Sequence, residues 1–442
     1  MSATARPPKA RADGATLACG YALVMTIIPA SMVLKGVPMA VTPGMAIGFV
    51  MGVMWFCAQL VTTLGVAKGR NAVRTALFLF ALSQLATYGV ATYGYLPSDE
   101  LAAADRTLIT LMAVFSVGLV AVDGVRGLDR IDRVLKAMVV GATFMAFVGI
   151  LQFSFALDLT QYLTPPILKP NGDVSFVLER SNFRRPAGTA GHPIEFGVVC
   201  AMAVPIALHY AMRARDFGGP DKRWWFCLGI LAMASMQSLS RSAVLALAIA
   251  AMFIIPAMPP KRRVRALFGI VLFLGAMRVM VPGLVGTLYS LFTSIDEDPS
   301  AESRRRAIER AGAEIAEHLV FGRGMGTYLP EKYGWLDNQY LGTLVQNGVL
   351  GILALVGLYG AGWYCCFRAR MVTKDPRIKD LAVTIAACIA VPGISSATFD
   401  LLGFAVATGF TFLLVGLAGA LWRAVQHDAA RQAALPRTEV AT

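Results

Sequence analysis

Apolar runs of about 20 residues recur along this chain, and nothing else in the sequence limits its folding so tightly. In hydrocarbon every backbone N–H and C=O must find its partner within the protein, so runs of this length form helices. They fall at roughly 16–34, 44–66, 74–96, 106–125, 136–157, 192–213, 224–239, 242–258, 266–287, 340–364, 380–397 and 401–422. Only 15% of the side chains are charged, where a soluble protein carries about 25%. The expected fold is an all-α polytopic membrane protein with about twelve transmembrane helices. We read residues 1–442 as one integral-membrane domain. The two runs flanking Ser240 are the shortest.

Basic residues set the expected orientation. The net charge is +13, but Lys and Arg gather in short connections: Lys68/Arg70/Arg74, Arg126/Arg130/Arg133/Lys136, Arg213/Arg215/Lys222/Arg223, Lys261/Arg262/Arg263/Arg265 and Arg368/Arg370/Lys374/Arg377/Lys379. With the N-terminus inside, each of these is cytoplasmic, as the positive-inside rule requires. The tail with Arg423 and Arg431 is then inside too, and the basic charge needs no nucleic acid as a partner. The leader MSATARPPKARADGA reads as the start of a chain whose first apolar run is a span, with no cleavable signal. The seven cysteines lie in or beside apolar runs. His192, His209, His318 and His427 are scattered over both sides. Neither set reads as a disulfide framework or a metal site, and no cofactor is expected. The absence of a Walker-type loop leaves an ATP-driven pump without support.

Two longer connections, 158–191 and 288–340, fall outside in this topology, and they run against the charge rule. Arg180, Arg184 and Arg185 lie in the first; Arg304, Arg305, Arg306 and Arg310 lie in the second; Arg241 sits at the outer tip of a hairpin. Such arginines can snorkel to lipid phosphates or pair with loop acids. Three clusters on one face favour an anionic ligand, because guanidinium pairs bidentately with phosphate oxygens.

Three stretches carry candidate chemistry. In RRPAGTAGHPIEFG (Arg184–Gly197), Gly188 and Gly191 permit a tight turn and Pro193 suits a first helical turn. Free N–H groups at that helix start, beside Arg185, would seat a phosphate. Glu195 is placed to bind the Arg185 guanidinium, and His192 to cap or donate; a plain capped helix start explains the same residues. In Ser240–Arg241–Ser242, burying an arginine costs about 2.5–3.5 kcal/mol, so Arg241 should face a cavity or the interface. Arg278 raises the same question, and a structural ion pair is the expectation there. From Glu302 to Gly351, Ser300 reads as a helix cap, with Glu302 and Arg306 at i,i+4. Ile308, Gly312, Ile315 and Leu319 read as its apolar stripe, and FGRGMGTY as the turn that ends it. Asp337 and Asn338 stand where the chain returns to the membrane. Each is either an Asx helix cap or, for Asp337, a general base for a sugar hydroxyl.

These motifs, in order, resemble the O-antigen ligase and O-antigen polymerase superfamily of bacterial envelope glycan assembly. The match rests on R-P-x-G-T-x-x-H-P at Arg185–Pro193, S-R-S at Ser240–Ser242, and R…G-R-G-x-G-T-Y…D-N-Q-Y-L…G-x-x-G at Arg304–Gly351. The resemblance implies a GT-C-like, metal-independent glycosyltransferase of the bacterial inner membrane. Its donor would be a glycan on undecaprenyl diphosphate, its acceptor another glycan or a lipid, and its active site extracytoplasmic, within a partly helical long loop. Membrane lipids and a chain-length regulator are the further partners implied. Arg185 and Arg241 would engage the diphosphate. Asp337 occupies the position where family ligases carry a histidine in an H-N-x-x-L pattern. Arg184, His192, Glu195, Arg304, Arg305, Arg306, Asn338 and Tyr340 would complete the substrate site. The D-N form looks more like the polymerase or exopolysaccharide branch than the ligase branch.

The alternatives are an O-antigen ligase, a polyprenyl-linked glycan transporter or flippase, and a non-catalytic subunit of the same fold. A transporter would bury ionisable residues or broken helices at the midplane of both halves. Here the polar residues gather in one outer loop.

Overall fold

Capping residues decide where many of the helices start. The computed structural model describes residues 13–61, 69–171, 178–180, 183–216, 222–283, 286–287 and 299–434, without the side chains of 178–180, 183, 214–216, 299–304 and 432–434. Asp13 closes a capping box on α1 (Gly14–Ile27), Thr42 caps α2 (Pro43–Leu60) ahead of a proline at its first position, and Asn71 caps α3 (Ala72–Tyr93). These side-chain oxygens satisfy amides that the helix itself leaves unpaired. Then follow α4 (Ser98–Gly124), α5 (Leu128–Phe155), α6 (Pro193–Asp216), α7 (Lys222–Gln237), α8 (Arg241–Ile254), α9 (Pro260–Met280) and α10 (Pro299–Glu317). The last three are α11 (Gln339–Val372), α12 (Pro376–Ser395) and α13 (Ala405–Ala434).

Each apolar run read from the sequence falls on one of these helices, and α10 lies in the long loop. By length and composition, 8 helices among the described residues can cross a membrane: α2 to α6 and α11 to α13. Helices α1 and α8 are apolar but shorter. The chain is an all-α polytopic membrane protein. Strand structure among the described residues is confined to two antiparallel pairs, β1 (Met32–Leu34) with β2 (Leu168–Pro170) and β3 (Leu178–Arg180) with β4 (Phe183–Arg185).

Helix α13 runs through the middle, packed on α4, α11, α12 and α6, and nearly all of its apolar face is enclosed. Helix α2 is peripheral and turns Val50, Val53, Met54, Phe56 and Leu60 outward. An apolar surface of that kind suits lipid contact.

Polar contacts gather at the two ends of the bundle. At one end the Asp123 carboxylate, fully buried, receives Arg423 at 2.9 Å, Arg74 at 3.4 Å and the Trp55 indole at 3.0 Å. Arg213 meets Asp132 at 2.8 Å, and His209 meets Asp380 at 2.6 Å. Thus several of the basic residues in the short connections lock neighbouring helices. The opposite end carries the long loops.

There, α11 is broken. Gly348 has φ 61° in the middle of it, and a Cβ at that position would collide with the Val320 carbonyl. The break frees backbone groups that hydrocarbon cannot satisfy. The FGRGMG segment supplies their partners. Arg323 and Gly324 donate to the Val345 and Gln346 carbonyls at 2.9 Å each, and Val349 and Leu350 donate to the Leu319 and Val320 carbonyls at 2.9 and 3.2 Å. The glycine-punctuated turn therefore completes a membrane helix as well as ending α10.

Two local expectations are corrected. The inward face of α10 is Ala307, Ala311 and Ile315, packed on Leu336, Val345 and Tyr328. Ile308 and Leu319 point outward, 61% and 54% exposed. Alanine lets the helix sit closer to its neighbours than isoleucine would, so the packing face is the one with the smaller side chains. Arg278 makes no ion pair with a described residue. It is exposed in the last turn of α9, where positive charge complements the helix dipole.

Candidate active site

The segment Arg184–Pro193 is built into the loop end from three sides. Gly188 takes φ 60°, and a Cβ there would lie 2.6 Å from the Met145 carbonyl oxygen. The Gln152 carboxamide holds the backbone of Gly188 through both its oxygen (2.8 Å) and its nitrogen (3.2 Å). Thr189 donates to the Thr26 carbonyl at 2.5 Å and accepts at its own carbonyl from Ala30 at 2.8 Å. With the loop fixed, α6 starts at Pro193.

Glu195 does not serve Arg185. It is buried, and its carboxylate accepts from the backbone N–H groups of Gly191 (2.9 Å), Val406 (2.7 Å) and Ala407 (3.3 Å). Val406 and Ala407 belong to the first turn of α13, so Glu195 caps α13 from the side and ties it to α6. A negative charge at a helix N-terminus is favourable, and the amides left open there require an acceptor.

Arg185 turns the other way, to the tip of the α7–α8 hairpin, where its Nε donates to the Ser238 carbonyl at 3.3 Å. Helix α7 has 16 residues and α8 has 14. At 1.5 Å per residue they rise about 24 and 21 Å, short of the ~30 Å hydrocarbon thickness. The tip is buried at Ser238, Leu239 and Ser240, and Leu239 sits at φ 49°, a conformation that costs a β- or γ-branched residue energy. Arg241 opens α8 immediately beyond it, half-buried. Arg185 thus bonds the buried turn that leads directly into Arg241. Arg184 is exposed on β4.

His192 stacks on Phe404, with ring centroids 5.5 Å apart and 20° between planes. Its Nδ1 accepts from the Ile194 N–H at 3.2 Å, which leaves Nε2 as the protonated donor. Burial, reinforced by the Arg185 charge, pushes its pKa down to about 4. It is a neutral donor at physiological pH and adds no cation to the site. Phe404 in turn packs on Phe399, and the Phe399 carbonyl accepts from Gln339 N–H at 3.1 Å. This run of contacts joins His192, which lies near Arg185, to the start of α11.

At that start the two Asx residues divide the roles that the sequence leaves open. Asn338 is the cap: its side-chain oxygen accepts from Tyr340 N–H at 2.9 Å and Leu341 N–H at 3.1 Å. Asp337 stands just outside the helix at φ 47°, half-buried, and its carboxylate takes no hydrogen bond or ion pair from a described residue. A half-buried acid in a strained backbone conformation, not used for capping, is available for proton transfer. Asn338 therefore caps α11 through its side-chain oxygen. The Tyr340 hydroxyl donates to the Gly393 carbonyl of α12.

The triple arginine contributes less. Arg305 is exposed and 3.9 Å from Glu309 at i,i+4, and Arg306 is exposed; the Arg304 side chain and the Glu302–Arg306 pairing lie outside the described residues. Surface pairs of this type contribute about 0.2–0.5 kcal/mol. Arg323, which the sequence reading passes over inside a glycine turn, does more. It reaches Glu100 at 2.8 Å and Glu314 at 3.1 Å, contacts the Tyr333 hydroxyl, and stacks on the Tyr333 ring at 4.1 Å. Lys332 adds Asp99 at 2.6 Å. Arg323 clamps the loop onto α4. Among the described residues no three His, Cys, Asp or Glu side chains are grouped to hold a metal ion.

With this geometry in place, comparison with known proteins is informative. Residues 226–356 match the family model described as O-antigen ligase. The match, over less than a third of the chain, supports a relation to the O-antigen ligase and polymerase superfamily. The matched segment spans most of α7, all of α8 to α10, the clamped loop and the first half of α11, so Arg241 and Asp337 lie inside it and Arg185 outside. No curated protein matches the chain.

Proposed function

We propose that the protein is a glycosyltransferase that transfers or polymerises glycan from an undecaprenyl-diphosphate-linked donor on the outer face of the bacterial inner membrane. The family match supports an O-antigen ligase or polymerase type of role in polysaccharide assembly. The observation that supports the finer reading is at the start of α11: Asn338 caps, and no described residue bonds the Asp337 carboxylate.

In this reading the acceptor hydroxyl oxygen attacks the anomeric carbon of the donor sugar as the bond to the diphosphate oxygen breaks. Asp337 takes the hydroxyl proton. Undecaprenyl diphosphate leaves with the bonding electron pair, and Arg185 and Arg241 stabilise the charge that develops on it. A diphosphate held by two guanidinium groups is already a good leaving group, so the step requires neither an acid nor a metal. Single displacement inverts the anomeric configuration. The aspartate at position 337 favours polymerisation, with a chain-length regulator as accessory partner. The family description favours, as second reading, a ligase that delivers the glycan to a lipid or other acceptor.

The topology proposed with this function has both termini cytoplasmic, and the loops 158–191 and 288–340 extracytoplasmic. Residues 28–42, 94–97, 238–240 and 396–404 share the loop end with them, as the bonds Ala30–Thr189, Lys332–Asp99, Arg185–Ser238 and Gln339–Phe399 support. Reporter fusions after Glu317 and Lys222 are expected to report opposite sides of the membrane; fusions reporting the same side would contradict it.

Replacing Arg185 or Arg241 with alanine is expected to reduce polymer formation by 10²-fold or more, the typical effect of removing a group that stabilises developing charge, while the protein still inserts. Polymer of normal amount and length from both variants would remove the diphosphate role.

A further inference from the structure

The end of α7 carries a polar group with no part in the reaction proposed above. Gln237 is fully buried, and neither the oxygen nor the nitrogen of its side-chain amide has a hydrogen-bond partner among the described residues. The serines beside it are used: Ser235 donates to the Gly197 carbonyl of α6 at 2.9 Å, and Ser238 donates to the Ser235 carbonyl at 2.7 Å. A buried amide without partners costs folding free energy at both of its ends. A second cost lies two residues on, where Leu239 is buried at φ 49°. Strain of that kind gathers at sites that bind or react. Between the two lies Ser238, whose carbonyl accepts from Arg185 Nε, and Arg241 opens α8 two residues after Leu239. Both unfavourable features thus fall within three consecutive residues, on the turn that the two arginines of the proposed donor site adjoin. The cover over this turn is thin. Leu239 clusters with Met236 and with Met277, the buried residue of α9, while Val264, Phe268, Val271 and Val279 of that helix are exposed. Helix α9 therefore resists a shift of the turn only weakly.

We propose that Gln237 is a donor-binding residue: when the turn opens at Leu239, the amide nitrogen donates to a diphosphate oxygen and the amide oxygen accepts from a hydroxyl of the first sugar. This role rests on the donor being a glycan on a polyprenyl diphosphate, with the diphosphate at Arg185 and Arg241. A carboxamide suits that junction. It offers a donor and an acceptor on one planar group, and it brings no negative charge against the phosphates. An apolar side chain of the same length would fill the same place without leaving polar atoms unpaired, so the amide works against stability where it stands. Binding sites are where a fold carries such costs.

Gln237→Met separates this role from a structural one, because it keeps the length of the side chain and removes the amide. The purified full chain is measured in detergent by its thermal midpoint, with and without undecaprenyl diphosphate, and by transfer from undecaprenyl-diphosphate-linked glycan. The two readouts are expected to move in opposite senses. Without ligand the midpoint should lie at or above that of wild type, since an unpartnered amide is gone. The donor KM should rise about 10-fold, and the stabilisation by undecaprenyl diphosphate should shrink. A lower midpoint without ligand would show that the amide is satisfied in the folded protein, by water for example, and overturns the proposal. A donor KM and a ligand-induced shift equal to those of wild type overturn it as well, and leave the donor reading intact. If undecaprenyl diphosphate does not stabilise the wild-type protein, the donor reading itself has failed and this role falls with it.

Discussion

Asp337→Asn is expected to lower glycan transfer by roughly 10²- to 10⁴-fold, the usual contribution of a general base, with no loss of folded protein. The asparagine is nearly isosteric and tolerates φ near 47° at least as well as aspartate, so the backbone turn should survive. Helix α11 keeps its cap, because Asn338 supplies it. What disappears is the acceptor for the hydroxyl proton. Asp337→His, which restores the residue type of family ligases at this position, should recover part of the activity. Initial rates of transfer and the elution profile of the detergent-solubilised protein measure the two quantities separately. An Asn variant of normal rate would leave Asp337 without a chemical role.

The second large effect is on stability. Arg323→Ala is expected to cost about 1–3 kcal/mol, the scale for removing one partner of a buried polar group, because Glu100 keeps the Tyr333 hydroxyl at 2.5 Å and Lys332 at 3.4 Å. The Glu100 side chain is 1% exposed and that of Arg323 18%, so solvent replaces the lost bond poorly. The damage should concentrate in the loop, because the backbone bonds of Arg323 and Gly324 to Val345 and Gln346 depend on the clamp to hold the turn against the break at Gly348. Limited proteolysis between Val320 and Trp335, with the thermal midpoint in detergent, tests this. Arg323→Lys should fall between, since an ammonium cannot serve Glu100, Glu314 and Tyr333 in a fork. Unchanged proteolysis and midpoint in the Ala variant would show that the clamp adds nothing.

These two residues illustrate what the sequence makes legible. Helices are easy to place because a membrane-length apolar run has few alternatives, and the break at Gly348 concerns a residue with the right freedom. Asp337 and Asn338 are recognisable as a functional pair, but capping and catalysis favour the same residue types at the same place. Only the hydrogen bonds show that Asn338, and not Asp337, is the cap. Contacts between distant segments are not legible at all. Arg323 and Glu100 are 223 residues apart, and Glu195 meets Val406 across 211. Nothing in the local pattern around either glutamate announces its partner. The face of α10 was obscured for another reason: a hydropathy pattern weights Ile308 and Leu319 over Ala307 and Ala311, whereas close packing prefers the small pair.

The central claim is chemical, and one measurement addresses it most directly. The purified protein, reconstituted in liposomes with undecaprenyl-diphosphate-linked glycan labelled in both the sugar and the lipid, is followed for separation of the two labels. The account predicts that free undecaprenyl diphosphate is released in step with glycan joined to the acceptor, and that Asp337→Asn stops both. Movement of the intact glycan lipid across the bilayer with no release of undecaprenyl diphosphate would contradict it and identify a transporter.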